Sequence, residues 1–176
     1  RPRPRGFHLV TDEVVDGARI MAHGLGMARG VIGIEQDKPQ AIEAMTKAAA
    51  AFSGIEVIAV PVQYPMGSER HLVQAITGIE TPARKLTADL GIVVHNVATA
   101  RAVHHAVRFG CPLVARVVTV SGGAIRDPKN ILAPIGAKIA DLVEFCGGFA
   151  ARPDSVVNGG PMMGQPLPSL EAPVVK

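Results

Sequence analysis

Three short runs of nearly unbroken apolar residues recur along the first half of this chain: "GVIGIE" at Gly30–Glu35, "IEVIAVPV" at 55–62 and "LGIVVHN" at 90–96. None shows the strict apolar–polar alternation of a strand with one wet face. A strand that is apolar on both sides has to be covered on both sides, which is the situation of a parallel sheet between helices. The intervening stretches have the helical period that this arrangement needs. Thr11 and Asp12 can cap a helix over 13–24, with Val14, Ala18, Met21 and Leu25 on one stripe. Asp37 and Pro39 open a second helix whose buried face is Ile42, Met45, Ala49 and Phe52, ended by Ser53-Gly54. Ser68 is a suitable N-cap for "SERHLVQAITG"; 82–88 reads as a loop, and "VATARAVHHAVRFG" as a further helix.

The rhythm changes at Pro112. "PLVARVVTVSG" is rich in β-branched residues, "RDPKN" is a turn signal, and "ILAPIG" is another strand. One short helix, "AKIADLVEFCGGF", and a strand with a tight glycine turn, "DSVVNGGPMMG", complete the pattern of a small β-grasp-like module. The expected organisation is a basic, disordered tail over 1–10, an α/β domain over 11–112, a β-grasp domain over 113–165 and a Pro-rich linker over 166–176.

Nearly half of the residues are apolar (48%), enough for a sizeable core, but only 3% are aromatic, so that core must be aliphatic. No apolar run approaches the roughly eighteen residues of a membrane-spanning helix, and "RPRPRG" has no apolar region behind it, which argues against a signal peptide. The net charge of +3 comes entirely from Arg1, Arg3 and Arg5; without them the 18 basic residues fall to the number of acidic ones, 15. A neutral body argues against nucleic acid as a partner. Cys111 and Cys146 have no neighbouring cysteine, which excludes a cysteine-ligated iron–sulfur cluster or zinc ribbon in this chain, and both read as buried reduced thiols. His104-His105 lack metal-ligand spacing and read as half-exposed packing residues; no metal site is expected.

In parallel α/β sheets ligands bind outside the carboxyl ends of the strands. Two turns bring polar residues to that edge: "YPMGSERHL" at 64–72 and "VVHNVAT" at 93–99. At Gly67 a ligand can approach the backbone, helix-start N–H groups can receive phosphate, and Tyr64, Ser68, Glu69, His95, Asn96 and Thr99 can stack or hydrogen-bond. These residues also have an ordinary reading. A capping Ser followed by a first-turn Glu favours the helix dipole without any ligand, and His95 could equally be a satisfied interior histidine. "GLGMARG" precedes a strand and so is no dinucleotide fingerprint, while "NGGPMMG" reads as a tight turn rather than an anion loop.

Five blocks occur in order, "GIEQDKPQAIEAM", "YPMGSERHLVQAITG", "VVHNVATARAV", "RVVTVSGGAIRDPKN" and "GGPMMG". Together, from about Asp12 onward, the chain resembles the C subunit of the Rnf electron-transport complex, the ion-translocating oxidoreductase. That family is related to the flavoprotein of respiratory complex I. The resemblance implies a Rossmann-like flavin domain, then a soluble-ligand-binding β-grasp domain, then a ferredoxin-like domain. In complex I a Tyr-x-x-Gly-Glu-Glu turn lies against FMN with its second Glu near the nicotinamide. Tyr64, Gly67 and Glu69 match it, with Ser68 in place of the first Glu. The Asn-Asn-Val-x-Thr turn that holds the flavin is matched at Asn96, Val97 and Thr99, with His95 where the first Asn stands.

The resemblance therefore implies FMN-binding roles for Tyr64, Gly67, Ser68, His95, Asn96 and Thr99, and a catalytic role for Glu69 on the nicotinamide side. It implies a parent protein that oxidises NADH through FMN, passes electrons to iron–sulfur clusters in a further C-terminal part, and couples this to ion transport. Its partners would be the other Rnf subunits, and its place the cytoplasmic face of the bacterial inner membrane, held peripherally with no span of its own. The family's Gly-Gly-x-Gly-Phe-Pro loop and Glu-Cys-Glu-Pro turn have no counterpart here, nor do the ferredoxin-like cysteines expected after Lys176. "RGFHL" is similar to the family's extreme N-terminus, which would put a deletion near Leu9. The chain thus corresponds to a central piece of such a protein, and on its own is expected to hold no FMN and to be inactive. Two other readings stay open: a non-enzymatic ligand-binding or docking module centred on the β-grasp part, and a relative of the cobalamin reductase of propanediol-using organelles, which shares the architecture.

Overall fold

The computed structural model describes residues 7–160 and 162–175. It divides into two compact units at the junction of Pro112 and Leu113. Residues 1–6 of the expected basic tail lie outside the described residues.

The first unit runs α1 (Phe7–Gly24), β1 (Gly30–Glu35), α2 (Pro39–Ala49), β2 (Ile55–Val60), α3 (Glu69–Thr77), a 3₁₀ turn (Thr87–Leu90) and α4 (Val97–Phe109). β1 and β2 are parallel neighbours, from Gly30 opposite Ile55 to Glu35 opposite Val60. A parallel pair needs a crossover, and α2 supplies it, entered through Pro39 in its first turn. The core is aliphatic, as the composition requires: Val14 and Val15 of α1, Ile32 of β1, Met45 and Ala49 of α2, Ile55 of β2 and Ala100 of α4.

Three expectations for this unit need correction. α1 begins before the Thr11–Asp12 cap, and takes in residues 7–10 of the expected disordered tail. Thr11 is 3% exposed inside the helix; packing of an amphipathic face outweighs the weak local preference of Thr for a cap. Leu25, placed on the buried stripe, follows the last residue of α1 and is half exposed. The third strand, over 90–96, does not form. Leu90 closes the 3₁₀ turn, Gly91 takes the left-handed conformation, and Ile92 N–H donates back to Thr87 O at 3.1 Å. Residues 92–96 then run without a ladder partner, Val93 being half exposed. An apolar run demands burial of some of its side chains, but a strand also needs an edge to pair with, and this segment pairs with neither β1 nor β2.

α1 and α4 approach unusually closely. A Cβ added at Gly17 would sit 1.8 Å from the carbonyl oxygen of Ala100, so only glycine permits the contact. Beside it, two carboxylates of α1 meet four side chains of α4. Glu13 accepts from Arg101 Nε at 2.6 Å and lies 3.0 Å from His105 Nε2. Asp16 accepts a two-pronged pair from Arg108 at 2.8 Å each and lies 2.7 Å from His104 Nδ1. The Arg108 hydrogen bonds, against the opposing effect of burial and with help from His104, pull the Asp16 carboxyl down to about 2. Burial alone would raise Glu13, but the hydrogen bonds with His105 and Arg101 outweigh it and hold Glu13 below its ordinary value. His104 and His105 are thus polar partners of the α1 carboxylates and not merely packing residues.

In the second unit β3 (Ala115–Val120) and β4 (Lys129–Pro134) form an antiparallel pair, followed by α5 (Ile139–Phe145) and the short pair β5 (Val157–Asn158) and β6 (Gln165–Pro166). Its core gathers Ala133, Leu142 and Val174, with Val118, Val120 and Ile131 against them. The stretch read as a linker is therefore part of this unit. Val174 is 5% exposed, its N–H donates to Ala137 O at 2.7 Å and its carbonyl accepts from Gly136 N–H at 2.8 Å. A core this small gains from one more buried Val, and extended proline-rich backbone lies readily along an existing edge. Of the two free cysteines, Cys146 is buried as expected but Cys111 is exposed: it follows Gly110, the left-handed residue that stops α4.

Gly17→Ala is expected to lower stability by about 3 kcal/mol or more, above the usual 1–3 kcal/mol of overpacking because the clash is with rigid backbone; a urea midpoint like that of the wild type would refute the close crossing. The Asp16 carboxyl has a folded value near 2, below the reference 3.8. Its contribution is therefore fully present above about pH 4 and lost as the pH falls toward 2. Asp16→Asn should cost about 1.5–3 kcal/mol at neutral pH, with the gap to wild type closing between pH 4 and pH 2 in urea unfolding at each pH.

Candidate functional site

The carboxyl ends of β1 and β2 lie side by side, Glu35 opposite Val60, and Gln36 N–H donates to Val60 O at 2.9 Å. From this edge the chain turns through 61–68 into α3. The turn is tight: Met66 N–H donates to Gln63 O at 2.6 Å and Ser68 N–H to Pro65 O at 2.7 Å, with a cis peptide between Tyr64 and Pro65. The result is a concavity of about 490 Å³ at the sheet's carboxyl edge, lined among others by Glu35, Tyr64, Met66, Gly67 and Ser68.

Two features of this concavity are not demanded by folding. A Cβ at Gly67 would meet nothing within 4 Å, and Gly67 is not in the left-handed region, so the fold tolerates a side chain there. Gly33 is different: a Cβ would come 3.0 Å from Leu72 Cδ1, because α3 packs across β1 at that point. Ser68 occupies the N-cap position of α3 in extended conformation, yet its side chain makes no capping hydrogen bond. Its hydroxyl, unlike most N-cap hydroxyls, is not used by the helix. Tyr64 is 69% exposed.

Glu69, one residue further, does not line the concavity. Its carboxylate accepts a hydrogen bond from the Thr87 hydroxyl. The neighbouring Arg70 Nη2 donates to Lys85 O at 2.7 Å. The first turn of α3 is thus tied twice to the segment around the 3₁₀ turn.

His95, Asn96 and Thr99 form a second cluster at the start of α4. Asn96 caps the helix: its Oδ1 accepts from Ala98 N–H at 2.8 Å, and its carbonyl accepts from Thr99 N–H at 2.9 Å. That commits the Asn96 oxygen to the fold and leaves its amide donors. His95 is exposed and Thr99 half-buried. Among the described residues no hydrogen bond or ion pair links the two clusters.

Glu35 and Thr87 escaped the sequence reading. Glu35 ends β1 and forms an ion pair with Lys38, which Asp37 also contacts at 3.1 Å; the hydrogen bond that Lys38 donates to the Glu35 carboxylate holds the ammonium above its usual range. The signal was there, since every carboxyl end of a parallel pair opens on the same edge. Thr87 carried no signal: nothing local relates it to a carboxylate 18 positions earlier.

The family model of the Nuo51 FMN-binding domain matches residues 7–105, more than half of the chain, and that of the SLBB domain matches residues 117–166. The C subunit of the ion-translocating oxidoreductase complex of Rhodobacter capsulatus is 55% identical over 166 residues, covering 94% of this chain and 32% of the relative. The C subunit of the proton-translocating ferredoxin:NAD(+) oxidoreductase complex of Clostridium ljungdahlii is 46% identical over 168 residues, 94% of this chain and 36% of the relative. Its counterpart in the Na(+)-translocating ferredoxin:NAD(+) oxidoreductase complex of Acetobacterium woodii is 40% identical over 172 residues, 96% and 39%. The chain thus spans about a third of the length of these curated relatives. Among the described residues no helix is long and apolar enough to cross a membrane.

Gly67→Ala is expected to change stability by less than about 0.5 kcal/mol, as an unencumbered surface substitution does, whereas Gly33→Ala should lower it measurably. Parallel urea titrations of the two variants make the comparison; equal losses would mean that the turn itself needs Gly67.

Proposed function

The chain belongs to the family of the Nuo51 FMN-binding domain, and from that membership we propose that its first unit is the C-terminal part of a Rossmann-like domain forming one wall of an FMN and NADH site. The second unit, an SLBB domain, is then the β-grasp domain that follows. The parent protein is an oxidoreductase component of an ion-translocating electron-transport complex, held at the cytoplasmic face of the membrane by the other subunits. It takes electrons from NADH and hands them on to iron–sulfur clusters carried elsewhere in its length.

The observation that carries this reading is the pairing of an unneeded glycine with an unused N-cap hydroxyl on one concavity at the carboxyl edge of a parallel pair. A flat, hydrogen-bonding ring fits such a surface. Gly67 offers bare backbone to its face, Ser68 a hydroxyl to its edge, and Tyr64 an exposed ring beside it. The first turn of α4, with the Asn96 amide donors and Thr99, suits a phosphate at a helix N-terminus. FMN, when bound, supplies the change from paired to single electron transfer. What the chain itself contributes is position and electrostatics. Glu69, held at its place by Thr87, keeps a negative charge on the side where nicotinamide is to stack, and His95 closes the phosphate end. The rest of the FMN site belongs to segments of the longer protein, so this chain alone holds no FMN and is inactive.

In the full-length protein, Glu69→Gln should slow reduction of the flavin by NADH about tenfold to a hundredfold, the equivalent of one charge-assisted hydrogen bond of roughly 1.5–3 kcal/mol. Flavin content should be unchanged. As a mere helix-start residue Glu69 would instead cost only about 0.3–1 kcal/mol of stability. Stopped-flow reduction and flavin content on the same samples separate these outcomes; wild-type rates at normal flavin content would sink the role given to Glu69.

A further inference from the structure

We propose that Thr87 is the positioning residue of Glu69, the buried anchor that fixes the direction of its carboxylate; this rests on the reading of Glu69 given above. Thr87 is 2% exposed, yet it carries a hydroxyl, and that hydroxyl donates to Glu69. A buried polar group is kept only where it has a partner, and here the partner sits on an otherwise exposed residue. Were Thr87 a valine, the site would bury a methyl group in place of the hydroxyl, and Glu69 could turn to water. Replacing a buried hydroxyl by an apolar group of the same shape is close to neutral for folding when its partner is left solvated. The hydroxyl is thus dispensable for stability and decisive for where the carboxylate points.

The anchor is itself well fixed. Thr87 begins the 3₁₀ turn, whose start is closed by Leu86 N–H donating to Asp89 Oδ2 at 3.0 Å. Ile92 N–H donates to Thr87 O at 3.1 Å, and Arg70 Nη2 ties the nearby Lys85 to α3. Glu69, by contrast, is a long flexible side chain on an exposed helix start, and unrestrained it would lose its direction among many rotamers. A charge that acts on a stacked ligand is effective only when its position is held, since small displacements cost large factors in rate. Thr87 touches no ligand in this scheme and works only through Glu69. The Thr87 hydroxyl engages Oε1, and no hydrogen bond among the described residues engages Oε2.

The test is a cycle in the full-length protein: Thr87→Val, Thr87→Ser, Glu69→Gln and the double variant Thr87→Val with Glu69→Gln, each assayed for flavin content and for reduction of the flavin by NADH. Thr87→Val should slow reduction about tenfold at unchanged flavin content, Thr87→Ser should restore it, and the double variant should be no slower than Glu69→Gln alone. Should Thr87→Val fail to fold, Thr87→Ala carries the same expectation. Thr87→Val at the wild-type rate beside a slowed Glu69→Gln would overturn the anchor and spare Glu69. Wild-type rates for Glu69→Gln would overturn both, and a double variant slower by the product of the single effects would show that Thr87 acts without Glu69.

Discussion

The first unit depends on one backbone contact, the approach of Gly17 on α1 to the carbonyl of Ala100 on α4. With any side chain at 17 the two helices would have to separate, and the polar contacts beside the crossing reach only across so short a gap. Ion pairs are not what drives the helices together. The net gain of a partly buried pair is small once desolvation is counted, whereas Val14 and Val15, both almost fully buried, each contribute about 1.5–3 kcal/mol by leaving water. The pairs decide something else. Glu13 with Arg101 and His105, and Asp16 with Arg108 and His104, permit one rotation and one register of α4. Removing a carboxylate or its arginine would leave the remaining groups at the crossing imperfectly matched, a loss of register more than of bulk stability. Apolar burial therefore supplies the stability and the ionic contacts supply the register. That register fixes where the start of α4, with Asn96 and Thr99, is presented.

A second close approach sets the other half of the site. Gly33 on β1 lets α3 lie across the strand, with Leu72 and Ile76 against the bare backbone. α3 begins where the turn from β2 ends, so its place against the strands sets the far end of the turn at 61–68. Gly17 is structural in the strict sense that a Cβ there would strike rigid backbone, while at Gly33 a Cβ would press on the ends of the Leu72 and Ile76 side chains. Gly67 belongs to another class, with open space before it.

Much of this is legible in the sequence, and the part that is not has a common cause. β1 and β2 can be found because unbroken apolar runs bounded by helix signals report burial locally. α4 and its Asn96 cap can be found because a cap is a contact between residues two or three apart. The expected strand at 90–96 fails because pairing is a relation with another segment, and no local pattern reports whether an edge is free. Thr11, expected as a cap, loses to the packing of the helix that contains it. Val174, expected in a linker, is recruited by a core that only the folded unit possesses. The roles of the His104-His105 pair and of Thr87 are hidden for the same reason: their partners lie 88, 92 and 18 positions away.

The division between what folding uses and what it leaves unused sharpens the functional reading. Asn96 illustrates the difficulty: it matches a flavin-binding pattern, yet its oxygen is committed to capping α4, so its presence would be explained without a ligand. Glu69 is ambiguous in the same way, since a first-turn carboxylate suits the helix dipole. Gly67 and Ser68 are not. A glycine with open space before it and an ordinary φ carries the extra chain entropy of glycine for no folding gain, and an N-cap serine that makes no cap bond forgoes about a kcal/mol of helix stability. Both concessions fall on adjacent residues, on one concavity, at the edge where parallel sheets bind ligands. A fold optimised only for stability would have an alanine at 67 and a bonded cap at 68. That this one does not is what supports the proposal of a ligand against Gly67 and Ser68.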